Sequence, residues 1–178
     1  MNQQELTHYF REVWSTLPIS NIDRVIYSGL QLASRINANE QVIDIGCGRN
    51  HFKKLIPNLI GIDPAFDEAD HRLTLEEFAR VNREQFNVAF CLGSINFGSR
   101  ETIENQIGLV KNLLLPKGRI YWRCNPGVQD HGAVETELID FYPWSFEEHI
   151  RLADVFGFKI VELRWDQTNR IYAEWRLR

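Results

Sequence analysis

The chain has 178 residues, 44% hydrophobic and 25% charged, which suits one globular domain whose core needs no disulfide or metal staple. Its net charge of -4 argues against unaided binding of duplex DNA, because non-specific affinity for nucleic acid comes from Lys and Arg on phosphates. No apolar run approaches membrane-spanning length, MNQQELTHYF carries no signal-peptide core, and Cys47, Cys91 and Cys124 form no CxxC pair. The expectation is therefore a soluble, cytoplasmic protein with free thiols, no membrane contact and no metal site.

The first 40 residues read as a helical cap on a core spanning 41–178. Leu6, Tyr9, Phe10, Val13 and Trp14 recur at helical spacing, and Pro18 stops that helix. Ser20 or Asn21 can cap a second helix that uses Ile22, Val25, Ile26, Leu30, Leu32, Ala33 and Ile36. From Gln41 the period changes. Residues 41–45 (QVIDI) are a buried strand stopped by Gly46-Cys47-Gly48. A short helix over 50–56 follows, then a second strand at 59–63 closed by Pro64. A helix over 75–83 leads to a third apolar strand, FNVAFCL at 86–92. An amphipathic helix over 100–115, a turn at Pro116-Lys117-Gly118 and a strand at 119–124 come next. Ser145 with Glu148 opens another helix in a capping-box pattern, and Gly157 ends it. Alternating strands at 158–165 and 170–177 form a closing hairpin around residues 166–169.

Strands alternating with helices, and strands that are apolar throughout, predict an α/β chain. Its sheet is mostly parallel, is covered on both faces and ends in an antiparallel hairpin. Such sheets bind ligands at the carboxyl ends of their strands. Three features fall there. Gly46 and Gly48 let backbone approach a ligand where a Cβ would collide. Asp63, seventeen residues after Gly46 at the tip of the next strand, can accept bonds from vicinal ribose hydroxyls. Leu92, Gly93 and Ser94 stand at the third tip. The set points to a nucleotide-like ligand. His51 occupies the sixth position of a dinucleotide fingerprint, and no P-loop exists, so NAD, FAD and ATP-dependent phosphoryl transfer fit poorly.

VIDIGCGRNHFKKLIPNLIGIDP, residues 42–64, resembles motif I and the following acidic motif of class I S-adenosylmethionine-dependent methyltransferases. FNVAFCLGSINFG resembles the fourth strand and loop of that family. LLLPKGRIYWRC resembles its fifth strand with the preceding turn, and WSFEEHIRLADVFGFKIVELRW its last helix and sixth strand. The ordered match covers residues 40–178. The resemblance implies a three-layer αβα sandwich with about seven strands, the third near Asp70–Leu73. It implies S-adenosylmethionine as cofactor and S-adenosylhomocysteine as product. Asp44 would reach the methionine amino group, and Gly46, Cys47 and Gly48 would pass beneath the cofactor. Asp63 and Pro64 would border the ribose, Thr74 and Leu75 the adenine, and Leu92, Gly93 and Ser94 the methionine portion. Asn50 stands where the family commonly has glycine; asparagine tolerates the left-handed conformation. Thr74 stands where an acidic residue is usual.

Acceptor chemistry is less explicit. Leu92-Gly93-Ser94-Ile95-Asn96-Phe97 is not the Asn/Asp-Pro-Pro-aromatic motif of amino-methylating DNA enzymes, and Cys124-Asn125-Pro126 has the wrong order for a cytosine C5 nucleophile. A small-molecule or protein acceptor is expected ahead of DNA. The loop 125–144 would border it, with His131 as the candidate general base and Asp130, Glu135, Glu137, Tyr142 and Trp144 nearby. A second reading is an inactive subunit of a larger assembly, which the 12% aromatic content suits through a protein-partner surface. The two readings differ in whether the crevice above Gly46 and Asp63 is open or filled by Arg49, Phe66 or Phe97.

Overall fold

The computed structural model describes residues 3–13, 29, 31–126, 139, 141–167 and 169–178. Among these, helix α1 spans Gln3–Glu12, α2 Leu75–Val81, α3 Arg100–Leu113 and α4 Phe146–Val155. The strands are β1 (Val42–Ile45), β2 (Leu59–Ile62), β3 (Phe86–Cys91), β4 (Leu114–Cys124), β5 (Phe158–Trp165) and β6 (Ile171–Leu177). A 3-10 turn at His51–Lys54 replaces the short helix expected after the glycines. Of the expected second helix, only Gly29 and residues 31–36 are described, and residues 29 and 31–33 are helical.

The sheet runs β2-β1-β3-β4-β6-β5. Its first four strands are parallel, and β6 pairs antiparallel with both β4 and β5. The described sheet has six strands rather than about seven. The stretch near Asp70–Leu73 makes a single parallel bridge, His71 to Ile62. Asp70 is the reason: its Oδ2 accepts the Gly61 N–H at 2.8 Å, so a side chain takes the edge donor that a neighbouring strand would have paired.

β4 begins earlier than its sequence suggested. Leu114 already pairs with Phe86, and Arg119 pairs with Val88 after a register shift. The Pro116-Lys117-Gly118 turn is thus a bulge within the strand, with Lys117 at φ 63. The residues between Leu114 and Arg119 make no pair with β3, and the ladder resumes at Arg119.

Both faces of the sheet are covered. On one, Ile43, Ala89, Ile120 and Trp122 pack against Phe78 of α2, Ile103 and Ile107 of α3 and Leu152 of α4. On the other, Val42, Val88, Phe90 and Tyr121 pack against Leu32 and Ile56. Every residue of β1 is buried, as continuous apolar strands in a two-sided sheet require. The aromatic residues go mostly inside. Trp122, Trp144 and Trp175 are each at most 2% exposed and close around His149, whose ring lies 4.5 Å from that of Trp144 and 5.5 Å from that of Trp175. The expectation that Trp144 faces an acceptor or partner is corrected. Its Nε1–H donates to the Ile95 carbonyl at 2.9 Å inside the core. Trp165 is half exposed, against Phe146.

Candidate functional site

β1 ends at Ile45, and the chain turns over the tip of β2. The N–H groups of Gly46 and Cys47 both donate to the Ile62 carbonyl, at 2.8 and 3.1 Å. Gly46 and Gly48 have positive φ, 68 and 53, for different reasons. A Cβ at Gly46 would run into the Ser94 side chain, whereas one at Gly48 would meet nothing within 4 Å. The first glycine locks the loop of β1 against the loop of β3. The second faces open space.

Asp63 ties this turn to its own. Its Oδ2 accepts the Gly48 N–H at 3.0 Å and its Oδ1 accepts the Ala65 N–H at 2.8 Å. Burial raises its pKa, and the N–H groups of Ala65, Gly48 and Phe66 work against that rise. Asp44 lies deeper, at 4% exposure. Burial, with the charge of Asp63 second, pushes its pKa up to about 7. A carboxylate kept this dry favours a neutral form or a cationic partner.

A cavity of about 840 Å³ opens at this carboxyl edge, within the range of small-molecule sites. Asp44, Gly46, Cys47, Gly48, Asp63, Pro64, Thr74, Leu75, Leu92, Gly93 and Ser94 all line it. Ser94 presents a buried Oγ with no hydrogen-bond partner. Arg49, Phe66 and Phe97 are among the residues that line this space, and they leave it open.

Asn50 is not among the lining residues. It adopts the left-handed conformation, φ 54, but its side chain turns to the back of the loop, donating to the Glu68 carbonyl at 3.1 Å and to Asp70 at 3.3 Å. There it packs on Gly61, where a Cβ would come within 2.5 Å of Asn50 Oδ1. Thr74 has a helix-capping role: its hydroxyl accepts the Glu77 N–H while Glu77 reaches back to the Thr74 N–H, the reciprocal pair of a capping box.

His131, Asp130, Glu135 and Glu137 lie outside the described residues. Tyr142 is not on the cavity wall; its hydroxyl donates to Glu148. Sequence reasoning expected a helical cap from residues 1–40 but singled out none of the cap residues, or of those at the tips of β4 and β6, that line the cavity. Gln3, Thr7 and Phe10 of α1 line the cavity, as do Arg123 and Arg170 at the tips of β4 and β6. The amphipathic spacing of Leu6, Tyr9 and Phe10 signalled a helix but carried no sign of what it covers. Among the described residues, no group of three or more His, Cys, Asp or Glu could hold a metal ion, and no helix is long and apolar enough to cross a membrane.

A scan against protein-family models and a sequence search of curated proteins each give no match. Solved structures match in fold. The chain is similar to 1,6-didemethyltoxoflavin-N1-methyltransferase of Burkholderia thailandensis, solved with its namesake compound and S-adenosylhomocysteine, at TM-score 0.69 and 14% identity over 98% of this chain and 85% of that one. It is similar to magnesium protoporphyrin IX methyltransferase of Synechocystis, with bound S-adenosylhomocysteine, at TM-score 0.70 and 11% identity over 98% and 99% of the two chains. A possible histamine N-methyltransferase of Thermotoga maritima matches at TM-score 0.67 and 15% identity over 97% and 100%. With its strand order and helices on both faces, the chain has the fold of the class I S-adenosylmethionine-dependent methyltransferases.

Proposed function

We propose that this protein is an S-adenosylmethionine-dependent methyltransferase acting on a small-molecule acceptor. The observation that carries the reading is the open cavity at the strand tips, with Asp44 and Asp63 buried in its wall beside the positive-φ glycines. The open crevice favours this reading over an inactive structural subunit.

The residues present fit the cofactor. Asp63 accepts backbone N–H groups on both of its oxygens and keeps capacity for ribose hydroxyls, since a carboxylate offers about four acceptor sites. Asp44 offers the methionine ammonium a desolvated carboxylate, and pairing would return it to the charged form. Ser94 Oγ offers a hydrogen bond that nothing in the protein uses. Gly48 leaves space where any side chain would intrude. Pro64, Thr74 and Leu75 also line the cavity, with Cys47 between the two glycines and Leu92 and Gly93 at the tip of β3. Asn50 supports the loop from behind. When bound, S-adenosylmethionine supplies a methyl group activated on a positively charged sulfur. The remaining task of the protein is to hold a nucleophile in line and exclude water. His131 is the proposed general base for an acceptor that must lose a proton.

The methyltransferases similar in fold include ones named for small acceptors, 1,6-didemethyltoxoflavin and magnesium protoporphyrin IX, which supports a small molecule here. The net charge of -4 speaks against duplex DNA. Three free cysteines suit a reducing compartment such as the cytoplasm. Half-exposed Trp165 is the feature that suits a protein partner. Titration calorimetry with S-adenosylmethionine and S-adenosylhomocysteine tests the reading. Saturable one-to-one binding in the micromolar range is expected, and no heat at millimolar ligand overturns it.

A further inference from the structure

Independently of the methyltransferase reading, we propose that β5 is a dimer edge, on which a second copy of this chain lays its own β5 in antiparallel pairing centred on Leu163. β5 is last in the strand order and, among the described residues, pairs on one side only, with β6. An edge strand offers a row of backbone groups to another strand. Which groups β5 offers follows from its inner side. The Asp166 N–H donates to the Arg170 carbonyl at 2.8 Å, and Arg164 and Glu162 stand in phase with it, opposite Tyr172 and Glu174 of β6. Inward and outward groups alternate along an antiparallel ladder, so Leu163 and Trp165 turn their N–H and C=O groups outward. The register shift between Ile160 and Glu162 leaves Val161 with no partner on β6. Val161 and Trp165, at the two ends of this stretch, are 49% and 54% exposed.

The charges select the occupant. Glu162 accepts from Arg35 at 3.0 Å and from Arg164 at 2.6 Å, so the strand carries one charge of each sign on either side of Leu163. In a twofold antiparallel pair centred on Leu163, Glu162 of each copy lies opposite Arg164 of the other, and Val161 lies opposite Trp165. The two Leu163 residues, both turned outward, exchange N–H to C=O bonds. Moving the centre by one residue sets Glu162 on Glu162 or Arg164 on Arg164, and like charges directly opposite are destabilising. Hydrogen bonding, charge and apolar side chains thus agree on one register, and the complementary strand is β5 itself. β5 runs in the direction of β4, since both are antiparallel to β6. A twofold partner therefore points its carboxyl edge the other way, and its sheet covers neither cavity.

Sedimentation equilibrium of the full chain from about 1 to about 200 µM tests this; one strand pair is a small interface, so a dissociation constant on the order of 10 µM is expected. The mass should rise from 20.9 kDa toward twice that value. Over the same range the Leu163 amide should exchange about fivefold more slowly as dimer forms, while the Arg164 amide, already facing Tyr172 of β6, should not change. Leu163→Pro deletes an outward N–H, which an edge strand tolerates, and should abolish the dimer. Trp165→Glu, at a half-exposed position, should weaken it about tenfold. A monomer throughout the range overturns the inference, including the case in which β5 receives a different protein. So does a dimer whose Leu163 exchange is independent of concentration, or one that neither substitution weakens. The exchange measurement on the unaltered chain stands whether or not the variants fold.

Discussion

Asp44 and His149 are both buried titratable groups driven toward their neutral forms, and they sit in opposite kinds of surroundings. Asp44 borders a cavity, with Asp63 and a backbone turn beside it. His149 is enclosed by Trp122, Trp144 and Trp175, and neither of its nitrogens has a hydrogen-bond partner. Burial pushes the first pKa up to about 7 and the second down to about 3. A cation can reach Asp44 through the cavity and restore its charge. Nothing can do so for His149, so that imidazole acts as a core side chain. A perturbed titration is evidence of function only where there is room for a ligand.

The comparison can be broken most directly with pH. Asp44 keeps its proton in the folded state after the unfolded chain has lost it, so between its ordinary 3.8 and about 7 its contribution falls as pH rises. His149 behaves oppositely. The unfolded chain gains a proton below about 6.5 that the folded state refuses until about 3, so stability falls as pH falls. Each effect amounts to about 1.4 kcal/mol per pH unit, or roughly 4 kcal/mol across its window. Denaturant unfolding across pH 4–8 should show the two partly cancelling. Asp44→Asn should leave the acid-sensitive branch alone, and His149→Leu should leave a protein that gains stability toward acid. Identical pH profiles for the two variants would contradict the assignment.

The glycines sharpen the same contrast between packed and open surroundings. Gly46→Val must adopt φ 68 and displace Ser94, which should cost about 3 kcal/mol of stability. Gly48→Ala has the positive φ but meets no atom, and should cost about 1 kcal/mol. Thermal unfolding of the pair checks this; equal losses would mean that the Ser94 contact is unimportant. Asp63→Ala should lower S-adenosylhomocysteine affinity about 100-fold, the equivalent of about 2.7 kcal/mol or one to two charged hydrogen bonds, with the protein still folded. The smallest effect is expected at Thr74→Ala, which removes a helix cap worth about 1 kcal/mol and should change cofactor affinity less than threefold. A larger change would give Thr74 a direct contact with the ligand.

Much of the cavity edge was legible in the sequence because it depends on local rules. A β-branched run ending in glycines, and an acid at the next strand tip, gave Asp44, Gly46, Gly48 and Asp63 their places on one wall. The left-handed conformation of Asn50 was readable from its residue type, but the direction of its side chain was not, since that depends on Glu68, Asp70 and the missing Cβ of Gly61. Thr74 to Glu77 fits a capping box on spacing alone. That pattern was present in the sequence and accounts for the bond from the Glu77 N–H to the Thr74 hydroxyl. The seventh strand was lost to one side chain, Asp70, which caps the edge donor of Gly61. The tryptophan enclosure of His149 and the meeting of the Phe10 and Phe97 rings join segments far apart in the chain, and periodicity carries no information about such pairings.

The decisive measurement is a crystal structure of the protein with S-adenosylhomocysteine. The ligand is expected in the cavity at the strand tips, its ribose hydroxyls on Asp63, its amino group toward Asp44 and its backbone neighbours at Gly46 and Gly48. A ligand bound elsewhere, or a cavity left without ligand at saturating concentration, would contradict this placement.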